Sequence, residues 1–298
     1  MGLFLICLAS IVWGTTGTAS ALIARQAVVS PLIVGVWRMI FSLPVFWLWH
    51  SRNVCTQASP SCWPTKGDCL PLLAMGICMA GYQIFYFAAV PRAGVALTAM
   101  VAICSSPLVI ALLAVAFLSE KLTRELCIAL GLGVTGTVLL VAQPDALRFN
   151  GGRFLLGIAL AFGATFSYSA YAILAKSLVD RMDGIAIATY SFTAAALVLT
   201  PTLVLQPTLD VWLRALPLLL YLGIVTSGIA YSIYMLSIRQ MSATVAGIIV
   251  LIEPLTAALL GTFAFKEPMG WSRISGALLL MVGIFYTQRG KATKQSKE

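Results

Sequence analysis

Two ionisable side chains stand inside otherwise apolar runs of the sequence: Glu253 in residues 244–265 and Arg38 in residues 33–49. If such runs cross a membrane, each charge is costly to bury and is therefore a candidate for function. Glu253 could carry a proton or bind a substrate amine, or it could be a structural carboxylate tied to a neighbouring helix. Arg38 could bind a substrate carboxylate, pair with Glu253, or extend to lipid headgroups.

Aromatic side chains form a third candidate group, most of them in pairs with helical spacing. Residues three or four apart lie on one helix face, so each pair can present two rings to the same side. The rings could line a cavity for a zwitterionic or aromatic solute, or they could serve packing alone. The group consists of Tyr82 and Tyr86, Tyr168 and Tyr171, Tyr231 and Tyr234, together with Trp13.

Two prolines within apolar runs, Pro107 and Pro254, predict helix breaks. A proline cannot donate to the carbonyl four residues earlier, so that carbonyl is released from the helix. Pro254 directly follows Glu253, which places a released carbonyl near the depth of the carboxylate.

The elements that hold these residues are predicted to be membrane helices. Apolar residues make up 60% of the 298 residues, and charged ones only 10%, against about 25% in soluble domains. A helix crosses a bilayer with about 20 apolar residues, and the chain offers ten such stretches, which predicts an all-α integral membrane protein with ten transmembrane helices. The predicted helices span residues 3–23, 32–50, 69–90, 94–118, 125–143, 154–176, 184–205, 213–236, 242–265 and 270–288.

The two halves of the chain repeat each other at a shift of 147 residues. Ser106-Pro107-Leu108 corresponds to Glu253-Pro254-Leu255, and likewise Glu120 to Glu267 and Gly136 to Gly283. Such self-similarity indicates duplication. Because each half has five helices, the repeats are predicted to be inverted, an arrangement found in secondary transporters. The predicted organisation is a first repeat at 1–143, a connecting loop at 144–153, a second repeat at 154–289 and a basic cytoplasmic tail at 290–298.

The sequence resembles the EamA family of the drug/metabolite transporter superfamily over essentially its whole length. The matching segments are residues 12–17, 35–38, 106–122 and 252–268. The resemblance implies a ten-helix, two-repeat fold with both termini inside. It also implies export of amino acids or related metabolites, or of drugs, often in exchange for protons. Lys266-Glu267-Pro268 departs mildly from the family's usual Gly-Glu-basic ending, and the family is too broad to name the solute.

The expected function is secondary active transport by alternating access, as an exporter of amino acids or related small metabolites, with protons as a candidate coupling ion. The alternative is a multidrug exporter whose cationic substrates would meet Glu253. An enzyme is not expected, because the sole histidine, His50, stands at a helix end. A channel would need rings of repeated polar side chains, which the sequence does not show. No cofactor, metal or nucleic acid is predicted.

The expected location is the plasma membrane, as in a bacterial inner membrane. Lys and Arg are more numerous in the loops that share a side with the termini, which predicts both termini in the cytoplasm. Ten helices make a complete two-repeat unit, so either a monomer or a dimer is expected.

Overall fold

A computed structural model describes residues 2–26, 30–52, 61–141, 152–205, 209–265 and 270–295, nearly all of them helical. The α-helices are α1 Gly2–Gln26, α2 Pro31–Arg52, α3 Lys66–Ala93, α4 Val95–Cys104, α5 Ser106–Leu118, α6 Arg124–Val141, α7 Gly152–Leu178, α8 Gly184–Leu199, α9 Leu209–Leu220, α10 Ala230–Ile238, α11 Ala243–Val250, α12 Ile252–Phe265 and α13 Trp271–Gln295. A 3-10 helix, Thr200–Leu205, extends α8, and a π-helix, Tyr221–Ile229, joins α9 to α10.

Membrane-spanning helices dominate this fold, as predicted. Within the described ranges, nine helical runs are long and apolar enough to cross a membrane, and Trp271–Thr287 in α13 is apolar but shorter. Four of these spans are composite: α4 with α5 forms the fourth, α8 with the 3-10 helix the seventh, α9 to α10 the eighth, and α11 with α12 the ninth. The all-α membrane fold of two inverted five-helix repeats is therefore confirmed.

The structure describes only part of the predicted connecting loop and only part of the predicted tail. Residues 144–151 of the connecting loop and 296–298 of the tail lie outside the described residues. Helix α13 runs to Gln295 and so enters the segment predicted as a tail. Its Lys, Ala and Gln residues have high helix propensity, which explains the extension beyond residue 288.

The fourth and ninth spans break where the prolines predict. Ser105 ends α4, with Pro107 in the first turn of α5, and Leu251 separates α11 from α12, which contains Pro254. A proline in the first turn of a helix removes a donor that would have no intrahelical partner, so it begins a helix at little cost. Both breaks therefore follow from local sequence.

The fifth and tenth spans, α6 and α13, show the internal symmetry directly in their contacts. A Cβ on Gly136 would lie 2.6 Å from the backbone nitrogen of Leu280, and one on Gly283 would lie 2.8 Å from that of Gly133. The 147-residue shift converts the first of these contacts into the second. Small residues at these positions let the two helices approach to backbone contact. The two halves thus meet through equivalent residues across a pseudo-two-fold axis.

Candidate functional site

A cavity of about 500 Å3 lies between the two halves of the molecule, within the range of about 300–1,000 Å3 typical of small-molecule sites. Its lining reaches Ala24, Val90 and Val141, at the C-terminal ends of α1, α3 and α6. It also reaches Val34 and Arg273, near the N-terminal ends of α2 and α13. Because successive spans alternate in direction, all five ends lie on the membrane face opposite the chain termini. The cavity extends toward that face.

Both ionisable residues singled out in the sequence line this cavity. Glu253 enters it from the first turn of α12, and Arg38 from the middle of α2. No ion pair of 4 Å or less joins the two side chains, although the structure describes both. The Nε of Arg38 instead donates to the hydroxyl of Ser227 at 3.4 Å. The carboxylate of Glu253 and the guanidinium of Arg38 therefore do not neutralise each other by direct contact.

The two helix breaks face the same cavity. Ser106, Pro107 and Pro254 are all part of its lining. Ser106 and Glu253 are equivalent positions of the repeat, so the pseudo-two-fold axis brings a hydroxyl and a carboxylate to one site. The prolines cannot donate to the carbonyls of Ile103 and Val250, residues that also belong to the lining.

An aromatic wall, made of Trp13, Tyr82, Tyr86, Tyr168 and Tyr231, completes the lining. The ring of Tyr82 lies 5.8 Å, between centroids, from those of both Tyr86 and Tyr168. Trp13 lies 4.7 Å from Tyr231. These separations are those of interacting aromatic pairs, so the wall consists of two groups of contacting rings, one around Tyr82 and one around Trp13.

Two of the predicted aromatic residues, Tyr171 and Tyr234, lie behind this wall and not in the lining. Tyr234 is 2% exposed and lies 5.4 Å from Trp13, whereas Tyr171 is wholly buried and lies 6.2 Å from Tyr231. Residues three apart in a helix differ in direction by about 60°. That difference explains why only the first tyrosine of each three-spaced pair reaches the cavity.

Several polar residues of the lining were not predicted from the sequence as site residues. They are Thr16, Ser20, Gln83 and Arg273. Gln83 stands inside an apolar span and is 2% exposed, and a buried amide in such a run is the kind of signal that could have identified it. Arg273 lies near the start of α13, where the sequence alone gives no reason to place it beside a cavity.

Helix α1 is held tightly against the ionisable part of the site. A Cβ on Gly14 would lie 2.4 Å from Thr256 Cβ and 2.7 Å from the carbonyl oxygen of Glu253. Glycine at this position therefore lets α1 pack directly on the backbone that presents Glu253. The neighbouring Trp13 donates its indole N–H to the carbonyl of Thr226 at 2.9 Å.

On the opposite face, where the chain termini lie, hydrogen bonds join the two halves. The carboxylate of Glu120 accepts the backbone N–H of Ala243 at 2.6 Å, and the N–H and hydroxyl of Thr244 at 3.2 and 2.8 Å. Glu120 thus caps the N-terminus of α11, where a carboxylate is favoured by the free N–H groups and the helix dipole. The equivalent residue of the second half, Glu267, lies outside the described residues.

Two inverted five-helix halves around a solute-sized cavity with ionisable lining residues define a membrane transporter. The chain belongs to the EamA-like transporter family, whose sequence model matches residues 1–142 and 155–288. The resemblance noted in the sequence is thereby confirmed.

Several relatives match over almost the full length of the chain. YwfM of Bacillus subtilis strain 168, an uncharacterized transporter, is 30% identical over 98% of this chain and 95% of its own. YicL of Salmonella typhimurium, an uncharacterized inner membrane transporter, is 24% identical over 94% of each chain. Protein PecM of Dickeya dadantii is 25% identical over 93% of this chain and 89% of its own. A known crystal structure, 21% identical, matches 96% of both chains with a TM-score of 0.78 and shares the fold.

Proposed function

We propose that the chain is a secondary active transporter that exports amino acids or related small metabolites by alternating access, with protons as the coupling ion. The proposal rests chiefly on one observation: Arg38 and Glu253 line the same aromatic cavity and do not pair with each other. Membership of a transporter family supports transport in general. The solute class is inferred from the side chains of the cavity.

A zwitterion matches these side chains group by group. A guanidinium can bind a carboxylate through two parallel hydrogen bonds. Arg38 lines the cavity and so offers this binding to the carboxylate of a zwitterion. Glu253 offers the complementary charge for an ammonium group. The aromatic wall supplies apolar contact for the remainder of the solute and a π face for a cationic group.

The proposed direction of transport is export, with both termini in the cytoplasm of a bacterial cell. The cavity then opens to the outside, and Glu120 joins the halves on the cytoplasmic side. In an exporter this is the conformation that releases solute. Glu253 would then bind a proton from outside and carry it inward in the return step. The cycle requires that the Glu120 contacts break when the cytoplasmic side opens.

Efflux of cationic drugs is the alternative function, and the aromatic wall beside Glu253 favours it. Arg38 lines the same cavity and opposes a solute that carries only positive charge. A solute with a carboxylate avoids that repulsion. The geometry therefore favours the metabolite over the drug.

The test is comparative metabolite profiling of cells and medium with the wild-type chain or Glu253→Gln produced at matched membrane levels. The proposal predicts that one class of amino acid or related metabolite accumulates in the medium with wild type and not with Glu253→Gln. Equal export by both variants would show that Glu253 is structural. If neither variant changes the medium, export of metabolites is excluded, and drug efflux or uptake becomes the better account.

A further inference from the structure

The π-helix Tyr221–Ile229 lies beside the cavity and changes which backbone groups are available there. The N–H of Ala230 bonds to the carbonyls of Val225 and Ser227, passing over that of Thr226. The Thr226 carbonyl accepts the indole N–H of Trp13 instead. π-Helical turns are rare and occur frequently at functional sites. Here the wider winding provides an acceptor that holds one residue of the aromatic wall.

The same segment brings helix α2 into close contact. A Cβ on Gly223 would lie 2.3 Å from Phe41 Cβ, and one on Gly228 would lie 2.8 Å from Val45 Cβ. The two glycines are five residues apart, whereas their partners on α2 are four apart. Because a π-helix bonds residue i to i+5, it places residues five apart on nearly one face, as an α-helix does for four. The π winding therefore brings both glycines to the face of the segment that packs against α2.

Arg38 is held at this contact. It stands three residues before Phe41 and so lies on the same face of α2, and its Nε donates to the hydroxyl of Ser227, a fully buried residue. An arginine has further N–H donors beyond Nε. Fixing Nε leaves the outer N–H groups of the guanidinium for a ligand in the cavity, in the fork that suits a carboxylate.

We propose that the π-helix is the positioning element of the solute site, and that Ser227, by orienting Arg38, sets the preference of the site for solutes that carry a carboxylate. The inference rests on the proposed function, because it presumes that Arg38 binds solute. Ser227 is a positioning residue, since it does not line the cavity and acts through Arg38.

The test compares three related probes on the purified full-length chain in lipid nanodiscs. L-Phenylalanine has both charges, 3-phenylpropionate has only the carboxylate, and phenethylamine has only the ammonium group. Ser227→Ala is expected to weaken binding of the first two by about fivefold, the size of one net hydrogen bond, and to leave phenethylamine unchanged. Ser232→Ala is the matched control, since Ser232 is also fully buried in the same span but bonds to the Gly228 carbonyl.

A double-mutant cycle with Arg38→Met separates positioning from simple packing. Methionine has no N–H donor, so Ser227→Ala should have no further effect in the Arg38→Met background. Additive losses, or an equal loss for all three probes, would overturn the inference and leave the proposed function intact. If Ser227→Ala does not fold, Ser227→Cys takes its place, because a thiol is a weak acceptor for the Nε–H of Arg38, and a uniform loss for all three probes overturns the inference. If wild type binds none of the probes, the proposed solute class fails, and this inference with it.

Discussion

At the scale of single residues, the site is unusual in holding opposite charges that do not pair. Glu253 and Arg38 line one cavity, and Arg38 is hydrogen-bonded to Ser227. A pair in direct contact would be largely self-satisfied, whereas separated charges are costly in apolar surroundings unless water or a ligand compensates them. The separation is thus consistent with a site that a solute or proton completes.

Replacing Glu253 with glutamine is expected to separate exchange from proton-driven transport. Glutamine keeps the shape of the side chain and resembles its protonated form, but it cannot bind and release a proton. In proteoliposomes, with the solute identified by profiling, Glu253→Gln should lose accumulation driven by a pH gradient. It should retain exchange of labelled for unlabelled solute, but at a higher half-saturating concentration, because the ammonium group loses its partner charge. A pH gradient that drives wild type and variant equally would remove Glu253 from the coupling mechanism.

Gly14 tests how closely α1 must approach Glu253. A Cβ at this position would meet Thr256 and the backbone of Glu253, so Gly14→Ala should destabilise the fold by about 1–3 kcal/mol and reduce transport. Gly17→Ala is the matched control, because a Cβ at Gly17 meets nothing within 4 Å. Thermal unfolding in detergent measures both variants. Equal stability of the two would show that α1 adjusts freely.

At the scale of elements, the contact between the halves on the face of the termini depends on Glu120 at the N-terminus of α11. Ser119, at the end of α5, has a positive φ of 54°, a strained conformation for a residue with a side chain. This turn ends α5 and directs the next residue, Glu120, toward α11. Glu120 belongs to the first half and α11 to the second, so these bonds join halves that would separate on this face in the proposed alternating-access cycle.

Glu120→Ala is expected to shift the molecule toward opening on the face of the termini. The variant loses hydrogen bonds to a charged group, each of which contributes about 1.5–3 kcal/mol. The reporter is a single cysteine, Ala258→Cys in the cavity, in a chain whose seven native cysteines are replaced. Labelling by an impermeant maleimide added from the face opposite the termini should slow. Lys121→Ala, an exposed neighbour, is the control, and equal rates in both variants would contradict a latch at Glu120.

At the scale of the whole molecule, the pseudo-two-fold axis predicts that equivalent substitutions have equivalent costs. Gly136→Ala and Gly283→Ala each place a Cβ within 3 Å of the backbone of the opposite helix. Each should cost about 1–3 kcal/mol of stability. Gly131→Ala, where a Cβ meets nothing within 4 Å, should be neutral or stabilising, since alanine favours helix over glycine. Losses at the two sites that differ several-fold would show that the halves pack unequally.

The fold could be predicted from the sequence because several independent features of the sequence agreed. Long apolar runs, two proline breaks and a repeat at 147 residues all indicated the same ten spans. The placement of Glu253 and Arg38 at one cavity was only one of several possibilities, because span boundaries do not reveal which helices are neighbours. The structure resolves it, because both side chains belong to the lining of one cavity.

Other parts of the site had no local signal. Residues 221–229 read as ordinary apolar helix, and nothing in their composition indicates π winding or the Thr226 acceptor. Tyr171 lies on the same helix as Tyr168, and Tyr234 on the same helix as Tyr231, but Tyr171 and Tyr234 are turned into the protein interior. Both features depend on packing between distant segments, which a single sequence does not specify.

The central claim is that a solute binds in the cavity at Arg38 and is carried by alternating access. Counterflow tests it most directly: proteoliposomes preloaded with the unlabelled metabolite are given a trace of labelled metabolite outside. Wild type should accumulate label transiently above equilibrium, with saturation by unlabelled solute, and Arg38→Gln should not, whereas Arg124→Gln on the exposed surface should match wild type. Label that equilibrates without overshoot would indicate a channel, and a full overshoot with Arg38→Gln would place the solute elsewhere.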